Sequence, residues 1–153
     1  MAVGCVDVRM AHYRKAKQLS SVTAAYLAGL VDGEGTVTLT RLHRSENRRL
    51  VLSISNNELA ILNFVAIAAV VGRITTKRTY HARHKPSFTY QVSSRQALEL
   101  LEQIAPYLKS YKSKRADLAL REYVALTPRN GKYRSDAKKA REDFEARLLA
   151  IRA

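Results

Sequence analysis

The stretch that most constrains this chain is Ala24-Ala25-Tyr26-Leu27-Ala28-Gly29-Leu30-Val31-Asp32-Gly33-Glu34-Gly35. Small and apolar residues run together and stop abruptly in acid and glycine. Ala25, Gly29 and Gly33 fall at i, i+4 and i+8, which on a helix form one smooth stripe. No side chain on that stripe holds a second backbone at a distance, the geometry best documented for small-residue helix pairs. Leu27, Leu30 and Val31 lie off the stripe and are free to pack on the chain's own core. About 12 such residues are too few to span a bilayer. A helix with one face for its own fold and one bare face points to a seam between two helices.

Asp32 and Glu34 sit where the helix must stop, with Gly33 and Gly35 beside them to release the backbone. A helix C-terminus already carries unpaired carbonyls and negative dipole, so carboxylates are unfavourable there unless a cation offsets them. A ligand set made only of oxygens favours a hard ion such as Mg2+ over zinc. Two such helices paired along the stripe would bring two divalent sites together on a two-fold axis.

Leu27-Ala28-Gly29-Leu30-Val31-Asp32-Gly33-Glu34-Gly35 resembles the signature of the LAGLIDADG homing endonucleases, with Val31, Gly33 and Glu34 as ordinary variants. The resemblance implies a motif helix that pairs at the centre of a homodimer, with Ala25, Gly29 and Gly33 in the interface. It also implies a metal site on the second acid, Glu34, with Gly33 beside it. The cofactor implied is Mg2+, and Mn2+ or Ca2+ can occupy the same sites. Asp32, the first acid, reads as structural, closing the helix end and the seam.

The formal charge is +14, from 27 Lys plus Arg against 13 Asp plus Glu. Such a balance calls for an anionic partner, most simply nucleic acid. The basic residues are spread over turns and strands, which disfavours a membrane-surface helix. Cys5 is the only cysteine, so there is no disulfide framework or cysteine-rich zinc site. With no signal peptide or membrane-spanning run in view, the expected location is a reducing cell interior. At 153 residues with one copy of the motif, the chain reads as a basic leader over 1–20 and one domain over 21–153. A two-fold site then requires two chains.

After Gly35 the period changes to two, and Thr36–Leu42 reads as a half-buried strand. A polar turn at 43–48 leads to a return strand, Arg49–Ser55, with Leu50, Leu52 and Ile54 on one face. Arg49, Val51, Ser53 and Ser55 take the other face. Asn56 or Asn57 is expected to cap a helix to about Val71, ended by Gly72. A second ribbon follows, Arg73–Tyr80 and Phe88–Ser93, with Thr75, Lys77 and Thr79 on one face of its first strand. Ser93 or Ser94 caps a helix to about Ile104. A helix carrying Leu118, Leu120, Val124 and Leu126 comes next. Thr127–Gly131 breaks the chain, and Ser135 with Asp136 caps a last helix. Ala137, Ala140, Phe144, Leu148 and Ile151 form its core-facing stripe.

This order predicts an α+β protein, αββαββα, with a four-stranded antiparallel or mixed sheet saddle, helices on one face and extra C-terminal helices. It is the fold that the resemblance implies. The other sheet face is lined with hydroxyls, amides and basic groups. Nine strand residues at about 3.3 Å each reach about 30 Å, which matches about nine base pairs of duplex DNA. A two-fold dimer would cover two such half-sites and prefer a pseudo-palindrome.

The candidate DNA contacts on this parity are Thr38, Thr40, Arg44, Arg49, Ser53, Ser55, Thr75, Lys77, Thr79, Thr89 and Gln91, joined by Arg129 and Lys132 as phosphate contacts. Leu42 and Val51 interrupt the polar face, as if to meet thymine methyls. By resemblance, Leu108–Ala116 matches the family's basic segment, and Lys112 falls on the active-site lysine; Lys114 and Lys109 compete for that role. Asn56 matches a position where the family often has Gln near the metal-bound water, and it is equally placed to cap the next helix. His81 and His84 lack further ligands and read as a polar turn. The activity implied is site-specific, metal-dependent, double-strand DNA cleavage by an intron-encoded homodimer. The alternatives are an RNA maturase or a non-catalytic DNA-binding regulator on the same scaffold.

Overall fold

The computed structural model describes residues 13–130 and 132–153. Residues 1–12 of the leader, with Cys5, and Gly131 in the last chain break lie outside the described residues. The elements in chain order are α1 (Ser21–Glu34), β1 (Gly35–Thr40), β2 (Arg49–Asn56), α2 (Leu59–Ala69), β3 (Arg73–Thr76) and β4 (Phe88–Ser93). They are followed by α3 (Ser94–Ile104), a single 3-10 turn (Ala105–Tyr107), α4 (Lys112–Glu122) and α5 (Ser135–Ala150).

The strands form one sheet in the order β1-β2-β4-β3, and every pairing is antiparallel. Of the two expected forms, antiparallel or mixed, the sheet takes the antiparallel one. The two hairpins meet through their second strands, which run opposite to each other. Val37 faces Leu52, which faces Val92, and Ile54 faces Tyr90. These residues are buried with Leu27 and Val31 of α1, Leu62 and Val65 of α2, and Leu100, Leu101 and Ile104 of α3. Tyr90, the largest of the sheet residues in this core, donates its hydroxyl to the Val71 carbonyl at 2.7 Å. Burial raises its phenol pKa far above the ordinary value.

Several boundaries differ from the sequence expectation. β1 ends at Thr40, so Leu42 lies in the following turn, 73% exposed. β3 ends at Thr76, which leaves Lys77 and Thr79 in a long loop. The pairing reaches one residue further, since the Lys77 amide donates to Ser87 at 2.8 Å. The next position opposite is Pro86, which has no N–H to continue a ladder. α2 begins after Glu58, not at Asn56 or Asn57. Asn56 instead accepts from the Glu58 amide at 2.8 Å, closing a tight turn ahead of the helix. At the other end Val70, with φ 63°, takes the left-handed position expected of glycine, and Gly72 follows with φ 88°. Serine capping is found at α1, where Ser20 accepts from the Thr23 amide at 3.2 Å. It fails for α5, whose N-cap is Arg134, and the Ser93 hydroxyl makes no capping bond to α3.

The C-terminal helices pack differently from the predicted stripes. Val124 lies beyond the end of α4 and is exposed. On α5 Ala137 and Ala140 are exposed, and the buried face is Arg141, Phe144 and Leu148. Arg141 is only 1% exposed. Its guanidinium donates to the carbonyls of Arg48 and Leu126 and to the Thr127 hydroxyl, pairs with Glu145 at 3.2 Å, and lies over the Tyr123 ring. A buried charge is tolerated when its donors are met in this way. Residues 13–20, read as part of the basic leader, are fastened to the domain. Glu99 accepts from the Tyr13 hydroxyl and the Ala16 amide, and Gln103 both accepts from the Leu19 amide and donates to the Lys17 carbonyl.

Candidate functional site

The acidic end of α1 is built by residues far away in the chain. Lys112, the first residue of α4, is 8% exposed, and its Nζ donates to the carbonyls of Val31 and Asp32 at 2.8 Å each. It thereby satisfies two of the open carbonyls that every helix C-terminus leaves. The next carbonyl along is that of Gly33. Desolvation lowers the Lys112 pKa; Asp32 raises it, Arg115 lowers it further and Glu34 raises it, and the net shift is downward. The competing lysines are placed differently: Lys109 and Lys114 are both exposed.

The Asp32 carboxylate is turned into its own chain. It accepts from the Lys109 amide at 2.7 Å, the Ser110 amide at 3.2 Å and the Ser110 hydroxyl at 2.5 Å. Asp32 and Lys112 thus clasp α1 to the segment that enters α4. Burial pushes the Asp32 carboxyl up, but the hydrogen bonds from Ser110 and Lys109 and the Lys112 charge outweigh it. The net pKa lies below the ordinary 3.8. A carboxyl with a lowered folded pKa contributes stability that is present above the unfolded value and lost as pH falls through the folded one. Asp32→Asn is therefore expected to melt at a lower temperature than the wild type at neutral pH. The gap should close as pH falls below about 3.8. Thermal melts across pH check this, and a constant gap would sink it.

Glu34 is the last residue of α1 and is exposed, not buried as a core acid. It lines an open groove with Ser55, Asn56, Asn57, Lys77 and Ser87. Two of the three predicted catalytic residues, Glu34 and Asn56, therefore meet in one groove. Lys112 does not line it, and it acts on the same helix end through the backbone. Gly35 joins α1 to β1 in an extended conformation, φ −112°. Its glycine is required by close approach and not by a left-handed turn: an added Cβ would lie 2.6 Å from the Val31 Cα and 2.9 Å from the Ser53 and Val31 carbonyl oxygens.

Along the rest of α1, Ala25, Gly29 and Gly33 are all exposed, and an added Cβ at either glycine would meet nothing within 4 Å. Val22 and Tyr26 extend this bare face, and Tyr26 meets Phe64 of α2 edge to face at 5.5 Å.

The polar sheet face is laid out in rows by the strand register. Thr36, Ser53, Gln91 and Arg73 form one row, and Ser55, Thr89 and Thr75 the next. Thr38, Val51 and Ser93 lie beyond the first row, and Thr40 faces Arg49 at the far end. The predicted parity therefore holds for Thr38, Thr40, Arg49, Ser53, Ser55, Thr75, Thr89 and Gln91. Ser55 and Thr89 share a hydrogen bond at 2.9 Å, so each carries one fewer free polar group. Val51 is 4% exposed and cannot meet a base methyl as it stands. Arg44 is in the exposed β1–β2 turn, Lys77 and Thr79 are in the β3–β4 loop, and Arg129 and Lys132 are in the exposed α4–α5 loop, so none of them lies on a strand. Sequence reasoning missed Arg73, whose parity with Thr75 was visible in the alternation. It also missed Ser110, Asp32's partner, which had no sequence signal.

The donors at the end of α1 suit a hard cation. Among the described residues no three His, Cys, Asp or Glu side chains cluster as a complete cage. One exposed carboxylate beside a helix-end carbonyl matches an ion that keeps most of its waters and takes substrate phosphate oxygens. No described helix is long and apolar enough to cross a membrane.

No protein-family model and no curated protein sequence matches this chain. Solved structures do. The homing endonuclease I-CvuI in complex with its target aligns with a TM-score of 0.69 at 19% identity, over 86% of this chain and 83% of that one. The homing endonuclease I-TnaI aligns with a TM-score of 0.61 at 14% identity, over 88% and 97%. The LAGLIDADG homing endonuclease I-GzeII in complex with a DNA target aligns with a TM-score of 0.64 at 12% identity, over 89% of this chain but 45% of that one.

Proposed function

Because this chain has the fold of the LAGLIDADG homing endonucleases, with their signature residues on α1, we propose that it is a site-specific, divalent-metal-dependent double-strand DNA endonuclease that works as a homodimer. The observation that carries this reading is the acid arrangement at the end of α1. Asp32 is consumed within the chain, while Glu34 is left exposed beside Asn56 at one end of a polar, basic sheet face. A protein using this scaffold only for binding has no need of a free carboxylate there, since it would repel phosphate.

The metal reading rests on that donor set, and I-CvuI has been crystallised with DNA in the presence of calcium and of magnesium. Glu34 and the Gly33 carbonyl would hold the ion, with Mg2+ favoured. When bound, the ion supplies acidification of a water and charge stabilisation at the leaving oxygen. The chain's own residues position and orient. Asn56 has its Oδ1 engaged by the Glu58 amide, which leaves its amide NH2 to hold a water. Lys112 fixes the α1 carbonyls and adds positive charge near the scissile phosphate. The sheet rows take the duplex, with Arg49, Arg73 and Gln91 as the strongest donors, and the hydroxyls of Thr38, Thr40, Ser53 and Thr75 as weaker or water-mediated ones.

The bare α1 face and the single motif support the homodimer reading. This chain spans 45% of I-GzeII, as half of a two-fold site would. Gly29→Leu tests it, because a Cβ at that exposed position would meet nothing within 4 Å in the chain's own fold. The variant gains helix propensity, by about 1 kcal/mol or less, so its monomer should stay folded. It is expected to sediment as a monomer and to lose cleavage. A Gly29→Leu protein that remains a cutting dimer places the seam elsewhere. The nuclease itself is tested by incubating the wild type and magnesium with a randomised duplex library and sequencing the cut ends. Recovery of one long, nearly palindromic site is the expected result; no cut molecules with any divalent ion would end this reading.

A further inference from the structure

At the corner of the sheet where β3 begins, Arg49, Arg73, Gln91 and Ser93 line one small cavity of about 280 Å3 together with Gly72, Val92 and Gln96. Register places the first four on the polar face. The Arg49 Nε is buried and has no hydrogen-bond partner. The ion pairs among the described residues use Arg48, Arg141 and Arg147, and neither Arg49 nor Arg73 takes part in one. Gln96 carries no charge to neutralise the corner, and its amide nitrogen donates to the Arg14 carbonyl at 2.7 Å. Two guanidinium groups thus share a concave site without a carboxylate, and a buried donor is left unmet. Native structures rarely leave such a group without a ligand to satisfy it.

The position selects the ligand. β3 starts opposite Gln91, so Val92 and Ser93 run past it along an open sheet edge. A sheet seated in a DNA groove turns its middle rows to the bases and its edges to the sugar-phosphate walls. A base edge is neutral and offers nothing to balance two positive charges. A phosphodiester carries one negative charge and two free oxygens, which suit charge-assisted bonds from two guanidiniums. Resting on the DNA-binding reading above, we propose that Arg49 and Arg73 clamp a single backbone phosphate of the bound duplex, and that this corner fixes register without reading sequence.

The test uses the whole protein and a fluorescent random-sequence duplex, with anisotropy titrations at several NaCl concentrations. The Arg49→Gln/Arg73→Gln double variant is expected to bind all duplexes more weakly, with the slope of log K against log salt reduced by about one. The Arg49→Lys/Arg73→Lys variant should keep the slope. Arg73→Gln alone, at an exposed position, should lie between wild type and the double glutamine variant, which guards against a folding defect from the half-buried Arg49. A slope unchanged in both glutamine variants overturns the clamp, as does a loss of two, which would mean separate phosphates. A changed preference at one base position with an unchanged slope overturns it in favour of base reading. In each of these outcomes wild-type binding and cleavage persist, so the nuclease reading stands; a wild type that binds no duplex overturns both.

Discussion

Glu34→Gln is expected to lower DNA cleavage by about 10²–10³-fold, the scale seen when a single electrostatic group at a reacting oxygen is removed, while leaving dimerisation and DNA affinity intact. Glutamine keeps the shape and one oxygen of the side chain but removes the charge that would hold a hard cation. Glu34 is exposed and makes no contact on which the core depends, so its replacement should leave the thermal melt unchanged. Affinity should hold or rise slightly, since a negative charge facing phosphate is lost. Cleavage rates at saturating magnesium, paired with gel-shift affinities, read the two effects separately. A Glu34→Gln protein that cuts at the wild-type rate removes the chemical basis of the proposed activity.

Gly35→Ala is the second large effect, and it acts through packing. The new methyl would sit 2.6 Å from the Val31 Cα and 2.9 Å from the Ser53 oxygen. Both neighbours are backbone, so neither can swing away as a flexible side chain can. Overpacking of this kind costs about 1–3 kcal/mol where side chains can adjust, and the backbone on two sides puts this site at the upper end. Any relief must move α1 away from β2, and Glu34 moves with it. A misplacement of about 1 Å is enough to lose about 10²-fold in rate. Denaturant titration and the cleavage assay together check this. An alanine variant with wild-type stability and rate would mean that the α1–β1 junction is looser than its geometry.

What could be read beforehand and what could not follow from the range of the forces involved. The acid-tipped helix, the two hairpins and the sides of their strands are set by local periodicity, and they were legible in the sequence, although β1 and β3 end earlier than expected. The polar rows carrying Ser53, Gln91 and Thr75 fell out of the same parity. The misplacements are cases where distant residues decide. Arg141 has a charged side chain and reads as surface, yet it is buried because carbonyls from Arg48 and Leu126 converge on it. Alternation in 73–80 continues past the point where Pro86 ends the ladder. Val70 accepts a left-handed backbone that a sequence rule gives to Gly72. Asp32 and Lys112 are both visible as candidates, but their partners, Ser110 for one and the helix-end carbonyls for the other, appear only when α4 docks.

That clasp has a consequence for the order of events as the chain folds. The bonds that finish the end of α1 join residues 77 to 81 positions apart, and such distant closures are slow compared with helix and hairpin formation. During synthesis Asp32 and the α1 carbonyls wait for Lys109–Lys112 to arrive. Until then the acid tip of the helix can fray, and Glu34 has no fixed direction. The strands are all made by Ser93, but β1 and β2 wait as well, because Arg115 donates to the Val37 carbonyl and the Tyr123 hydroxyl accepts from the Leu50 amide. A product truncated before α4 would therefore lack the clasp on the acid tip of α1 together with part of the support of β1 and β2.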